Sequence, residues 1–297
     1  MNYKDLKNLN IGEILENIDL TKYTTYKLAG VARFLAIPKN ISSLKKLLIY
    51  LKEKNIKHKI LGFGSNLIFT KKIYDGVLIR LDNLNDVNIN GTIVTVGAGY
   101  SLIKLSLLVA RYDLAGLEFA SGIPGTVGGA VFMNAGAYKS DMGYIVKSIK
   151  VLTPELKIIE LSNNQLNFHY RTSFLATNPN YICLEATLGL YKGKKEAILD
   201  VIRNRKIRRL ESQPLEYPSA GSVFRNPEGD FAGRLIEEIG YKGHMIGGAM
   251  VSQKHANFII NAGNATGEDI KNLINEIKEK VKEKFDIDLK IEQEFIE

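Results

Sequence analysis

The chain has 297 residues, enough for two or three domains, and a formal charge of +8 from 40 Lys and Arg against 32 Asp and Glu. Hydrophobic residues make up 45% and charged residues 24%, the ordinary balance of a globular protein. No apolar run approaches the roughly 18–20 residues that a membrane-spanning helix needs. A single cysteine, Cys183, excludes an internal disulfide, and four histidines without metal-ligand spacing argue against a structural zinc site.

The start, MNYKDLKNLN, is polar and lacks the apolar core and cleavage site of a secretory signal, which predicts a cytoplasmic protein. Residues 41–54 place Leu44, Leu47, Leu48 and Leu51 on one helical face behind a Ser42/Ser43 start. A short strand, HKILG, then runs into the loop GFGSN at 62–66. Residues 77–81 (VLIRL) read as a strand. Asn90-Gly91 sits between alternating residues across 86–97, a hairpin signal. Helical spacing returns over 101–112, and the next segment is the most unusual of the chain. Residues 121–138, SGIPGTVGGAVFMNAGAY, hold five glycines and no charge.

Glycine lets main-chain N–H groups approach a ligand closely, and successive N–H groups in a turn make an anion site without Lys or Arg. The segment therefore reads either as a phosphate or pyrophosphate cradle or as a tightly packed crossover. GFGSN is a second glycine loop after a strand. It does not complete the dinucleotide fingerprint, because no glycine stands three residues after Gly64. No phosphate-loop motif of an ATPase or GTPase is present either. Two glycine loops about sixty residues apart can still clamp one pyrophosphate outside a Rossmann frame.

Farther on, strand-like KSIKVLTPELKIIEL and YICLEATLGLY flank a polar connection carrying FHYRTSF. The apolar run around Cys183 makes it a buried thiol. Composition shifts near residue 192 into a long basic helix whose cluster is Arg203, Arg205, Lys206, Arg208 and Arg209. Such a run is either a solvated helix face or a surface for anions. No nucleic-acid module accompanies it, nor do interleaved aromatics, so a small anionic substrate suits the charge equally well. After it come the Ser/Gly/Pro-bearing loop 214–229, a helix in FAGRLIEEIG, a strand in HANFIINAG and an amphipathic helix from Thr266 to about Lys284. The tail DIDLKIEQEFIE alternates like a strand. This mixed order argues for an α+β architecture.

Three polar features carry chemistry. Ser222, in SAGSVFRNP, suits a nucleophile, a proton donor or a simple cap, and the hydrolase elbow pattern is absent. Arg171, in HYRTSF, suits a surface ion pair or bidentate binding of a carboxylate or phosphate. Glu292 and Glu294 share one face of the terminal strand, and spacing alone prefers neither.

Taken in order, LGFGSN, SGIPGTVGGAVFMNAGAY, YRTSF, SAGSVFRNP, AGRLIEEIGYKG and GGAMVSQKHANFIINAGNAT resemble the UDP-N-acetylenolpyruvoylglucosamine reductase family from about Leu20 to the C-terminus. The resemblance implies a vanillyl-alcohol-oxidase-type FAD-binding fold of two α+β subdomains plus a third α+β domain for the UDP-sugar. The expected division is 1–79 with the terminal strand 286–297, then 80–192, then 193–285. It also implies that NADPH reduces FAD, that hydride passes to C3 of UDP-N-acetylglucosamine enolpyruvate, and that Ser222 protonates C2 to give UDP-N-acetylmuramate.

On the same ground, Arg171 and Glu292 bind and polarise the substrate's carboxyl region. Glu292 is chosen over Glu294 because it lies three residues after Leu289, as the family ending requires. FAD is expected on Gly62, Gly64, Ser65, Asn66, Gly122, Ile123, Gly125, Thr126, Gly128, Gly129, Asn134 and Gly136, and the substrate on Asn226 and Lys242. A monomer acting without membrane or nucleic acid is expected. Departures are TTYKLAGVA near the N-terminus, with Ala29 and Val31 where the family has glycine and proline, and Gln293 where a β-branched residue is usual. The short stretch after YRTSF resembles the family's second, shorter subclass.

Overall fold

The computed structural model describes residues 3–297; the first two residues of the polar start, and of the expected 1–79 division, lie outside the described residues. Four strands pair in the order Gly12–Asp19, Val31–Pro38, Ile73–Ile79 and His58–Ile60. The chain divides into two compact units. One comprises residues up to Glu16, Phe34–Gly62 and Gly76–Ile207, and the other Asn17–Arg33, Phe63–Asp75 and Arg208–Glu297.

The first unit is built around a five-stranded antiparallel sheet in the order Ile158–Ser162, Val146–Leu152, Ile182–Gly189, Ile93–Gly97, Val87–Asn90. Its inner face supplies Val94, Val96, Ile149, Val151, Leu184, Ala186 and Leu188, all buried. Cys183 lies in the same core, and burial pushes its thiol up to about 12, as a structural cysteine requires. The helix Ile41–Glu53 buries the four leucines of the expected face, Leu44, Leu47, Leu48 and Leu51. Its cap is Asn40, whose side chain accepts from the Ser43 N–H, so the helix starts at Ile41, one residue ahead of Ser42. Asn at this position satisfies an otherwise orphan donor and stabilises by about 1 kcal/mol. The hairpin also shifts by one residue. Asn90 pairs with Ile93, which leaves Gly91 (φ +60°) and Thr92 as the turn.

The second unit packs the helices Ala232–Glu238 and Gly267–Phe285 against the antiparallel strands Met245–Ile246, Ala249–Val251 and Ile259–Asn261. The long helix begins at Thr266 in a reciprocal capping box with Asp269, two donors satisfied at once. It buries Ile270, Leu273, Ile274, Ile277 and Val281, an i, i+3, i+4 stripe. The tail forms less strand than its alternation suggests. Only Glu294–Ile296 pairs, in parallel, with Leu67–Phe69, because Asp286 turns left-handed (φ +57°) and Ile291 makes a lone bridge to Phe224. Among the described residues no helix is long and apolar enough to cross a membrane.

Candidate active site

In the first unit the glycine-rich segment is not one continuous loop. A short helix, Val127–Phe132, forms inside it, capped by the Thr126 side chain accepting from the Gly129 N–H. Gly128 permits this helix where it lies, since a Cβ there would stand 2.9 Å from the Ala98 Cβ. The Val127 and Gly128 N–H groups donate to the carbonyls of Tyr100 and Ala98, at 2.9 and 2.8 Å. The helix start is thus consumed by the fold itself. Among the described residues, the N–H groups of Gly122, Gly125 and Thr126 have no protein acceptor, and Gly122 and Gly125 are only half-buried. This donor set, uncharged and built from backbone, fits a pyrophosphate.

The first glycine of GFGSN meets the same place. A Cβ on Gly62 would stand 3.0 Å from the Thr126 hydroxyl oxygen, so the two glycine loops abut at Thr126. Within the second unit, Gly64 (φ +63°) passes so close to Tyr23 that a Cβ would fall 2.3 Å from its carbonyl oxygen. Its own carbonyl accepts from the Thr25 N–H at 3.3 Å, which ties the loop to TTYKLAGVA. Asn66 closes the motif onto the tail: its side-chain amide donates to the Glu292 carbonyl at 3.0 Å, and its carbonyl accepts from the Glu294 N–H at 2.9 Å.

Arg171 belongs to the glycine segment's surroundings. His169 and Thr172 exchange both backbone hydrogen bonds at 3.1 Å, putting Tyr170 and Arg171 at the tip of a tight turn. Arg171 itself is left-handed, φ +56°, a conformation a non-glycine residue adopts only when its surroundings hold it there. Buried Asn134 supplies that hold, donating to the His169 carbonyl and accepting from the Gly143 N–H, each at 2.9 Å. The Arg171 guanidinium donates to the Gly136 carbonyl at 2.7 Å and lies 5.0 Å from the centre of the Tyr170 ring. Asn134 and Gly136 therefore shape the arginine turn.

In the second unit Ser222 and Glu292 lie on adjoining extended segments. Residues 222–225 run between two neighbours. On one side the Val223 N–H donates to the Asn257 carbonyl at 2.9 Å, and Ser222 bridges Phe258. On the other, the Glu292 N–H donates to the Val223 carbonyl and the Arg225 N–H to the Lys290 carbonyl, both at 2.8 Å. The Asn257 side chain clamps Phe224 from both ends, accepting from its N–H at 2.9 Å and donating to its carbonyl at 2.8 Å. Glu292 thus enters the backbone network beside Ser222, whereas Glu294 is the first residue paired with the Leu67 strand. Asn226 and Lys242 sit at opposite ends of the helix Ala232–Glu238. The Asn226 side chain accepts from the Ala232 N–H at 3.1 Å, and Lys242 pairs with Glu237 at 2.8 Å. Asn134, Asn257 and Gln293 were not predicted as organisers of these loops. Only Gln293 left a signal, as a polar residue in an apolar register.

Comparison with known proteins decides what this arrangement belongs to. The family model described as the FAD binding domain matches residues 32–162, and the C-terminal domain of UDP-N-acetylenolpyruvoylglucosamine reductase matches residues 213–296. UDP-N-acetylenolpyruvoylglucosamine reductase 1 of Bacillus cereus is 45% identical over 293 residues, covering 98% of this chain and 97% of the relative. The chain belongs to the UDP-N-acetylenolpyruvoylglucosamine reductase family.

The reductase of Bacillus subtilis is 42% identical over 294 residues, 99% of this chain and 97% of the relative. The crystal structure of the Thermus caldophilus reductase superposes with a TM-score of 0.79 at 33% identity, covering 96% of this chain and 98% of that one. The reductase fold, with its FAD binding domain followed by a separate C-terminal domain, is therefore that of this α+β chain. FAD is the cofactor, consistent with the uncharged donor set around Thr126.

Proposed function

We propose that this reductase converts UDP-N-acetylglucosamine enolpyruvate to UDP-N-acetylmuramate with NADPH as co-substrate, and that Ser222, Glu292 and Arg171 carry the protein's part of the chemistry. The observation that carries the reading is the placement of Ser222 and Glu292 on adjoining segments joined through Val223. Support for the substrate comes from the names and near-complete overlap of the relatives. The reading assigns FAD to Gly62, Gly64, Ser65, Asn66, Gly122, Ile123, Gly125, Thr126, Gly128, Gly129, Asn134 and Gly136. Of these, Gly122, Gly125 and Thr126 offer backbone donors, while Gly128, Asn134 and Gly136 act by shaping the segment. It keeps the three-part division at 79, 192 and 285, and a cytoplasmic monomer needing neither membrane nor nucleic acid.

FAD, when bound, supplies the hydride taken from NADPH to C3 of the enolpyruvyl ether. The residues of the chain handle charge and the proton. Ser222 gives its hydroxyl proton to C2 on completion of the reduction. An ordinary hydroxyl is a weak acid, so its acidity must be raised by groups that stabilise the transition state. Arg171 binds the substrate carboxylate as a planar, two-pronged donor. Its left-handed backbone and the bond to Gly136 pre-orient it, which lowers the cost of ordering on binding. Glu292 polarises the same region, and Asn226 and Lys242 receive the diphosphate end of the UDP-sugar.

Anaerobic stopped-flow measurements on Ser222→Ala test the reading. Reduction of bound FAD by NADPH keeps its rate, and reoxidation by the enolpyruvyl substrate slows by about 10²–10⁴-fold, the range for loss of a positioned acid. Equal slowing of both half-reactions overturns the proton-donor role.

A further inference from the structure

We infer that Gln293 is a positioning residue for Ser222, its buried amide gathering the carbonyls of the turn that carries the serine; the inference rests on the proton-donor reading of Ser222. Gln293 sits at a bend between the lone Ile291 bridge and the strand Glu294–Ile296, and it is only 5% exposed. Its amide nitrogen donates toward three carbonyl oxygens in succession, those of Ala220, Gly221 and Ser222, at 3.1, 3.2 and 3.4 Å. Carbonyls only accept, so the NH₂ end of the amide must face them. The oxygen end therefore faces the Tyr26 hydroxyl, 3.0 Å away, and that hydroxyl must donate. Tyr26 is itself fully buried, and burial pushes its hydroxyl well above the usual tyrosine range, so the proton it donates is always present.

The consequence falls on the shape of the turn. Three carbonyl oxygens pointing at one spot repel each other and need a donor there, and in an apolar surrounding they have no water to turn to. The surrounding is apolar: Tyr26, Ala220, Val223 and Phe224 belong to one buried cluster. Gly221, at φ +76°, lets the chain fold so that consecutive carbonyls converge. A valine or isoleucine at position 293 would supply no donor, and the turn would have to rotate at least one carbonyl away. Ser222 rides on that rotation, and a shift of about 1 Å at a reacting group costs about 10²-fold in rate. Tyr26 comes from TTYKLAGVA and Gln293 from the tail. The departure at Gln293 thus meets a tyrosine of the other divergent segment, next to the backbone of the proposed acid.

The test uses the FAD-loaded enzyme and the two half-reactions. Gln293→Leu slows reoxidation by the enolpyruvyl substrate by about tenfold or more and leaves reduction by NADPH unchanged. Gln293→Glu adds a readout that a packing role would not move. A protonated carboxyl can donate one bond to the turn, whereas the carboxylate can donate none. Reoxidation in this variant therefore falls as pH rises through the new carboxyl's titration, a step absent from the parent enzyme. Tyr26→Phe gives a smaller loss in the same half-reaction and carries the test, with Gln293→Glu, if Gln293→Leu does not fold. A folded Gln293→Leu that reoxidises at the parent rate, or slows both half-reactions alike, overturns the inference, as does Gln293→Glu with the parent pH profile. Ser222→Ala run alongside separates the two failures. If it reoxidises normally, the proton-donor reading falls and this inference with it; if it is slow while Gln293→Leu is normal, only the inference falls.

Discussion

The glycine-rich segment of one unit and the Ser222 loop of the other hold irregular backbone in place by opposite means. The first works by removing side chains. Gly62 and Gly128 let backbone come within contact of Thr126 and Ala98, and short-range backbone bonds do the rest. The second works by inserting side chains from far along the sequence. Asn257 clamps Phe224 across 33 positions and Gln293 gathers the Ser222 turn across about seventy. On the proposed reading the difference has a purpose: a pyrophosphate bound by backbone donors wants close approach, whereas a serine that meets one substrate atom wants a backbone that cannot rotate, which buried, paired amides supply.

Breaking one member on each side tests the contrast. Asn257→Leu leaves the Phe224 N–H and carbonyl without partners in a region where Phe224 is 1% exposed. The expected cost is about 3 kcal/mol, from about 1–3 kcal/mol for each buried unsatisfied group. Urea unfolding measures it, and a cost below about 1 kcal/mol would mean that the clamp is dispensable. Gly128→Ala brings a methyl to 2.9 Å from the Ala98 Cβ and 3.2 Å from its carbonyl oxygen. The helix must shift, at about 1–2 kcal/mol for overpacking. The loss appears mainly as weaker FAD retention, read from the flavin content of the purified protein. Full flavin content with unchanged unfolding would show that close approach at Gly128 is not needed.

These two devices also explain what the sequence could disclose. The helices over 41–53 and 102–111 were legible because their leucines recur at helical spacing and pack in the local core. The glycines announced close approach, because only that residue makes it possible. The helix Val127–Phe132 was hidden, since Gly128 and Gly129 are poor helix formers and the reason for it, Ala98, lies in another element. The terminal strand was overestimated for a related reason. Its alternation is real, but a strand needs a partner, and Leu67–Phe69 is only three residues long. Ser222 and Glu292 could be named from motifs, yet their adjacency came from hydrogen bonds that span about seventy residues. Nothing in the sequence marks Asn134 or Asn257 as a clamp, and Gln293 shows only as a polar residue in an apolar register, because an amide's role depends on what it faces.

The mildest expected effect sharpens the Ser222 side through pH. His255 stands two residues before the Asn257 clamp, and its Nδ1 accepts the Asn257 N–H at 3.2 Å. The neutral ring must therefore carry its proton on Nε2, and a second proton on Nδ1 would break that bond. Burial lowers the pKa of His255, with Lys242 adding repulsion and Glu237 opposing it. The facing ring of Phe258, 4.8 Å away, offers no counter-charge. A histidine lowered in the folded state binds its proton more readily when unfolded. Stability is therefore full above the unfolded value of about 6.5 and declines as pH falls from there toward the lower folded value. The urea midpoint should drop over that window in the parent chain, and His255→Gln should flatten the drop while leaving the plateau above it nearly unchanged. A parent midpoint that holds steady below about pH 6.5, or an equal drop in the variant, would remove His255 from the support of the Phe224 clamp and leave Asn257 to hold it alone.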